Sequence, residues 1–451
     1  MKRKLATLVL GAVGVLALGA CGSQTKEYDG TEVQGVTENE ILVGNTAATT
    51  GDFAQVGVPF NAGLEAVFKD YENNGGKKIT LKHYDDGFDG ARGATLTKKL
   101  VEDDKVFALV GHFGTNTVAS TVDYIKEVGV PMVYAATGIN DLYQEEAVGY
   151  DKAVISVQPI YKTEGRSLLA RALAPYNAEA ALDPTKQHGV NIYGDDVKIG
   201  VINTADDAGR GIREGVERQA EELKVSNITY SETQATAGTN HASAVEKLKN
   251  AGCQIVIVCA NQVPFGEILK AMKNANYDAI VLTSYVSANA VTLGQLVADG
   301  SITATRPVYT AGWLDITTAE GAAALLDFVR VITTIIPEYA VYAANSYAMA
   351  GYVAGKLFVE GVQRVEKAGE ELTWLNYINA LESEKVSIPM GGLLDLSNGK
   401  RLGIEDLALN GTLLVETDVA GTVYPAGSLV SYASLQSIDT IWESVSSNLK
   451  K

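Results

Sequence analysis

K-L-V-E-D-D-K-V-F-A-L-V-G-H-F-G-T-N-T-V, residues 99–118, contains one complete structural unit. Every residue of 106–110 is apolar, so a strand formed there is buried on both faces. Gly111-His112-Phe113-Gly114 turns the chain, and Thr115 is placed to N-cap a helix over 116–128. That helix would bury Val118, Val122, Ile125 and Val128, which recur every three or four residues. A strand, a glycine-rich turn and an amphipathic helix make the repeating element of a parallel sheet covered by helices.

The same rhythm runs outward in both directions. Upstream, 41–44 reads as a strand, and Phe60, Leu64, Val67, Phe68 and Tyr71 mark one face of a helix that Asn73-Asn74-Gly75-Gly76 ends. A strand over 78–84 follows, and Asp89 can cap a helix to about residue 103. Downstream comes a strand at 131–135. After residue 160 the pattern restarts, with a helix near 163–174 and then strands at 197–203, 228–232, 254–259 and 279–282 separated by helices. The expected fold is therefore α/β, with two Rossmann-like lobes built on parallel sheets. Residues 176–196 read as a surface insertion, and helices are expected near 317–335, 339–362 and 373–382. No period of a solenoid is present.

The chain has 451 residues, enough for two or three domains, and 46% of them are hydrophobic. Its net charge of −17 gives no clustered basic footprint for nucleic acid or anionic lipid. Of three cysteines, Cys21 closes Leu18-Gly19-Ala20-Cys21 after a basic start and an apolar run over 5–18. Such a run is short for a bilayer span and suited to an export signal. The motif is similar to the bacterial lipobox, which implies a signal peptide over 1–20, lipidation of Cys21 and an extracytoplasmic chain held at the cell membrane. Residues 21–37, polar and rich in Gly, read as a flexible tether. Cys253 and Cys259 stand at opposite ends of one strand, about 20 Å apart, too far for a disulfide, and are expected in the core.

His83, His112, His188 and His241 are scattered without metal-ligand spacing, so no metal is expected. Signatures of nucleotide binding and of α/β-hydrolase chemistry are missing, and no cofactor is implied. Asp85-Asp86-Gly87-Phe88-Asp89-Gly90 lacks the spacing of a calcium loop and reads as a strand end with a helix cap. What remains is polar loops at strand C-termini: 46–57, 111–117 and 135–138, rich in Gly, Thr and Ala. In doubly wound sheets ligands sit there, where backbone N–H groups and Thr hydroxyls can hold a carboxylate.

I-L-V-G-N-T-A-A-T-T-G-D-F-A-Q-V-G-V-P-F-N-A-G (41–63), Y-D-D-G-F-D, the segment over 99–115 and V-P-M-V-Y-A-A-T resemble the type I periplasmic binding proteins of the leucine/isoleucine/valine-binding family. The resemblance is dense over 40–140 and looser to about 412, and it leaves 176–196 and 413–451 beyond the usual length. It implies three crossovers between the lobes, with hinges near 158, 309 and 400. Lobe 1 would comprise 38–158 and 310–400, and lobe 2 would comprise 159–309 and 401–451. The family's carboxylate site maps onto Thr115, Ala135 and Thr137. Its aromatic contacts fall on Val56 and Ala208, and the acid that pairs a ligand ammonium falls on Tyr285.

Those departures bear on the ligand. A buried ammonium without an anion costs several kcal/mol, so an α-amino acid would need another acid, such as Asp207 or Asp315. Tyr285 and Tyr342 could line the cleft, and Trp313 could stand at its mouth. The resemblance implies a non-enzymatic, lipid-anchored binding component of an ABC importer. It would capture a small carboxylate-bearing solute, most simply a branched-chain amino acid, and dock on a permease with its ATPase. A sensor for a non-amino-acid carboxylate or amide is the alternative, and a secreted hydrolase the remoter one.

Overall fold

The computed structural model describes residues 28–31, 33–173, 197–287, 289–414 and 425–449. The export signal, Cys21 and the 176–196 insertion lie outside these residues. In chain order the first lobe opens with β1 (Glu40–Ala47), α1 (Ala54–Asn73), β2 (Lys78–Asp85) and α2 (Gly90–Lys98). It continues with β3 (Ala108–Val110), α3 (Thr115–Ala119), α4 (Val122–Val128), β4 (Met132–Val133) and β5 (Val154–Ile155). The five strands pair in parallel in the order β2-β1-β3-β4-β5. Asp89 caps α2 as expected, accepting from Arg92 N–H at 2.8 Å. The helix read over 116–128 is broken in two: Thr121 donates its hydroxyl back to the Thr117 carbonyl, and the residue adopts a non-helical conformation.

The second lobe holds α5 (Tyr161–Leu173), β6 (Ile199–Thr204), α6 (Asp207–Leu223), β7 (Ile228–Thr233), α7 (Ala242–Ala251) and β8 (Ile255–Cys259). Next come α8 (Gln262–Asn274), β9 (Ile280–Thr283), α9 (Ala290–Ala298) and β10 (Val308–Gly312). The chain then returns to lobe 1 through α10 (Ala319–Thr334), α11 (Ser346–Ala368), α12 (Trp374–Ser383) and the hairpin of β11 (Val386–Ile388) and β12 (Gly392–Leu394). It ends in lobe 2 with β13 (Leu407–Thr412), β14 (Leu429–Gln436) and α13 (Ile438–Leu449). The second sheet has the order β14-β13-β10-β9-β8-β6-β7, and β13 runs antiparallel to both its neighbours, β10 and β14. The 413–451 extension, where described, is thus an edge strand and a helix of this lobe.

Three sequence boundaries move. The hinge expected at 309 lies inside β10, whose V-Y-T-A-G becomes a strand by pairing with β9 and β13, so the crossover starts at Trp313. The boundary at 400 also shifts, because Arg401 belongs to lobe 1. Its fully buried guanidinium donates to the Lys152 carbonyl at 2.7 Å and pairs with Glu382 at 2.7 Å. Lys152 also pairs with Glu382 at 2.9 Å, so removing Glu382 is the change that would leave the buried Arg401 guanidinium without its anion, at about 3–5 kcal/mol. Finally, the tether is packed against lobe 1 from Tyr28 onward. Tyr28, 5% exposed, donates to the Gly129 carbonyl at 2.7 Å, and Leu375 N–H donates to the Gly30 carbonyl at 2.6 Å. An aromatic ring outweighs the polarity of its neighbours once a groove accepts it.

Candidate functional site

The carboxyl ends of both sheets face one cleft, and the loops leaving β1, β3, β4, β8 and β9 supply its walls. Asp85 and Asp86 organise the lobe 1 side. Asp85 accepts the Thr50 hydroxyl at 2.6 Å and the Thr49 N–H at 2.9 Å, which fixes the turn that carries Phe53. Burial alone would raise this carboxyl, but those hydrogen bonds and the Gly87 N–H draw it down to about 2. Asp86 accepts the hydroxyls of Thr46 at 2.9 Å and Thr117 at 2.7 Å, joining β1 to α3. The D-D-G-F-D-G segment therefore ties loops together. His112, fully buried, sits behind them. Its Nδ1 accepts the Thr46 N–H at 3.4 Å, and burial pushes its pKa down to about 3, so the ring is neutral.

Between the lobes lies a cavity of about 160 Å³, open at its mouth. Lobe 1 lines it with Phe53, Val56, Phe60, Phe88 and Phe113, and Phe53 stacks on Phe88 at 3.9 Å between ring centres. Lobe 2 contributes Asn261, Gln262, Tyr285 and Val286. The crossovers add Gln158, Tyr161 and Trp313, and α11 adds Ser346 and Tyr347. Among the described residues that line it, none is Asp, Glu, Lys or Arg. The site is an aromatic chamber with neutral polar groups.

Of the residues singled out in the sequence, Val56, Thr115 and Tyr285 line this chamber, as does Trp313. Gly114 rather than Thr115 caps α3, at φ 106°, and Thr115 is the first helical residue. Its Oγ1 lies 3.1 Å from Thr137 Oγ1 and 3.0 Å from the Tyr161 hydroxyl. Thr137 N–H donates to the Ala135 carbonyl at 2.9 Å, and Ala135 N–H donates to Ile155 at 3.2 Å. The groups assigned to a ligand carboxylate by resemblance are thus engaged within the chain. Ala208 is buried inside α6, and Asp207 is exposed beside it, with its carboxyl raised by partial burial and then by Asp206. Tyr342 stands in a 3-10 turn near Tyr339, and neither it, Asp207 nor Ala208 lines the cavity. Asp315 is turned to its own loop, accepting Thr317 N–H at 2.8 Å. Cys21 lies outside the described residues.

Sequence reading missed Tyr161 and Glu164. Both belong to the first turn of α5, immediately after a crossover, and a Tyr-x-x-Glu at such a hinge is the signal available in the sequence. Burial pushes the Tyr161 phenol up to about 12, against the two threonine hydrogen bonds. Glu164 is fully buried and accepts the Ser284 hydroxyl at 2.7 Å and the Tyr285 N–H at 2.8 Å, which fixes the loop presenting Tyr285. Burial raises its carboxyl to about 7, opposed by those two bonds. Hydrogen bonds also bridge the lobes around the chamber. Tyr347 donates to Gln262 at 2.9 Å, and Asn140 donates to Glu214 at 2.8 Å while accepting Lys162 N–H at 3.0 Å.

Residues 40–409 match a family model described as periplasmic binding protein. A Leu/Ile/Val-binding protein homolog 2 of Brucella abortus is 23% identical over 267 residues, 58% of this chain and 64% of that protein, so the match spans less than two thirds of the relative. A branched chain amino acid ABC transporter protein from Thermus thermophilus, solved with bound valine, superposes with a TM-score of 0.68 at 15% identity. The match covers 91% of this chain and 99% of that one. A fatty acid ABC transporter substrate-binding protein from Thermomonospora curvata gives 0.67 at 15% identity, covering 93% and 97%. At such identities these structures establish the two-lobed fold.

Proposed function

Because the chain belongs to the periplasmic binding protein family, we propose that it is the solute-capturing component of an ABC importer, a binding protein and not an enzyme. In this reading it is exported, anchored through a lipid on Cys21, and delivers its solute to a permease driven by an ATPase. Nucleic acid has no part in it. Among the described residues, no helix is long and apolar enough to cross a membrane. The solute is small and largely apolar, bears no ammonium, and is enclosed when the lobes close.

One observation carries this reading: the interlobe chamber is walled by aromatic rings and, among the described residues that line it, has no charged side chain. An α-amino acid buried there would leave its ammonium without an anion, at a cost of several kcal/mol. Solved relatives with this fold are described with valine and as fatty acid transporter proteins, so the architecture admits ligands with and without an ammonium. The resemblance implies a branched-chain or related amino acid, and the neutral lining favours an ammonium-free solute over it. The test is thermal unfolding of the chain from residue 22 onward against leucine, isoleucine and valine and against ammonium-free aromatic and aliphatic compounds. A true ligand at a hundred times its Kd adds about 2.7 kcal/mol. Stabilisation by an ammonium-free compound and none by the three amino acids is expected, whereas stabilisation by leucine alone would reverse the ligand assignment.

A further inference from the structure

The second sheet brings a polar pair to the lobe 2 side of the chamber. Thr310 of β10 stands directly opposite Asn410 of β13 in the antiparallel register. Cross-strand partners of this kind point to the same face of a sheet, and both residues line the chamber. Thr310 Oγ1 belongs to a residue 1% exposed and has no hydrogen-bond partner among the described residues. The Asn410 carboxamide makes no hydrogen bond among them either. Gly312, two residues along β10, faces the same way and clears the space that the carboxamide occupies: a Cβ there would lie 2.3 Å from Asn410 Nδ2. Leu429 of β14 adds an apolar side chain from the next strand, beyond the residues matched to the family.

A buried hydroxyl left without a partner is uncommon in a folded protein and costs free energy, so it calls for one that arrives from outside. A hydroxyl beside a carboxamide offers both donors and acceptors, whichever way the protons turn, and carries no charge. An ion placed there would lose its hydration without meeting a counterion. We propose that Thr310 and Asn410 form a second polar subsite, which takes an uncharged hydroxyl or carboxamide at the end of the solute remote from lobe 1. The inference rests on the solute-binding reading above and names a feature of that solute. Its body lies against Tyr285 and Trp313, whose ring centres are 6.5 Å apart. Both subsite residues belong to the second sheet, so the subsite acts independently of the group that the solute presents to the lobe 1 loops. A solute ending in bare hydrocarbon would enclose both polar groups unpaired, and is the one the subsite rejects.

Matched probes test it by titration calorimetry on the chain from residue 22 onward. Phenylacetate, hydrocinnamate and hexanoate, each as the acid and as its primary amide, are compared with derivatives bearing a hydroxyl or a carboxamide at the opposite end. At least one derivative is expected to bind about tenfold more tightly than its parent. Thr310→Val, which keeps the shape and removes the hydroxyl, and Asn410→Ala should each lower that ratio about threefold or more, and the double variant should bring it to about one. Thr310→Ser restores a hydroxyl and should restore most of the ratio. Parents that bind as tightly as every derivative would overturn the inference and leave the receptor reading in place, as would folded Thr310→Val and Asn410→Ala proteins that both keep the wild-type ratio. Binding of leucine alone would reverse the ligand assignment and remove this inference with it. Binding of no compound, the three amino acids included, would sink the receptor reading as well.

Discussion

Glu164 keeps its proton because its site offers one hydroxyl and one N–H where water would offer many donors. Its carboxyl titrates at about 7 in the folded chain, above the ordinary 4.5. Between those values the unfolded chain has released the proton and the folded chain has not, so stability falls as pH rises through this window. The fall amounts to about 3 kcal/mol at 1.36 kcal/mol per unit. Glu164→Gln preserves an acceptor for the Tyr285 N–H and has nothing to ionise. Urea unfolding at pH 4.5 and 7.5 should show the wild type losing about 3 kcal/mol more than Glu164→Gln across the interval; equal losses would reject the assignment. Burial, which no single residue letter carries, decides this behaviour.

Each lobe is pinned by a pair of helices that meet through reciprocal glycines. In lobe 1, a Cβ on Gly63 of α1 would lie 2.0 Å from the Ala348 carbonyl oxygen of α11, and one on Gly351 of α11 would lie 1.9 Å from that of Phe60. In lobe 2, Gly165 of α5 and Gly215 of α6 stand in the same relation, at 1.9 Å from Ile212 O and 2.1 Å from Lys162 O. Backbone cannot yield as a flexible side chain does, so a methyl group must push the helices apart. Gly351→Ala should cost about 1–3 kcal/mol, or more if the helices cannot part. Gly369→Ala on the same helix's C-cap, where a Cβ meets nothing within 4 Å but φ is 70°, tests backbone strain alone. Denaturant midpoints of the two variants would separate the causes, and an unchanged Gly351→Ala would contradict the packing. The helices themselves were legible from apolar spacing, but which glycines touch a partner was not.

At the scale of the molecule, three chain passages join the lobes and two of them lie side by side, with Ile404 N–H donating to the Val157 carbonyl at 2.8 Å. Asn140 joins one lobe to the other by two hydrogen bonds, to Lys162 and Glu214. Net hydrogen bonds of this kind are worth about 1 kcal/mol each, so Asn140→Ala should weaken ligand binding roughly tenfold or more while leaving each lobe folded. Calorimetry with an ammonium-free ligand, beside circular dichroism, would check it, and an unchanged affinity would remove Asn140 from closure. The sequence by itself determined the alternation of strands and helices, the parallel pairing and the loops that line the cleft, because apolar period and turn chemistry are local. Only the tertiary structure decided that β10 and β14 are strands, that residues from Tyr28 onward pack on lobe 1, and that Tyr161 meets Thr115 and Thr137. These facts depend on groups far apart in the chain meeting in space: 22 and 46 residues for the contacts of Thr115 with Thr137 and Tyr161, 101 for Tyr28 with Gly129, and about 100 for β10 with β13. No local pattern encodes such meetings, which only the folded chain brings about.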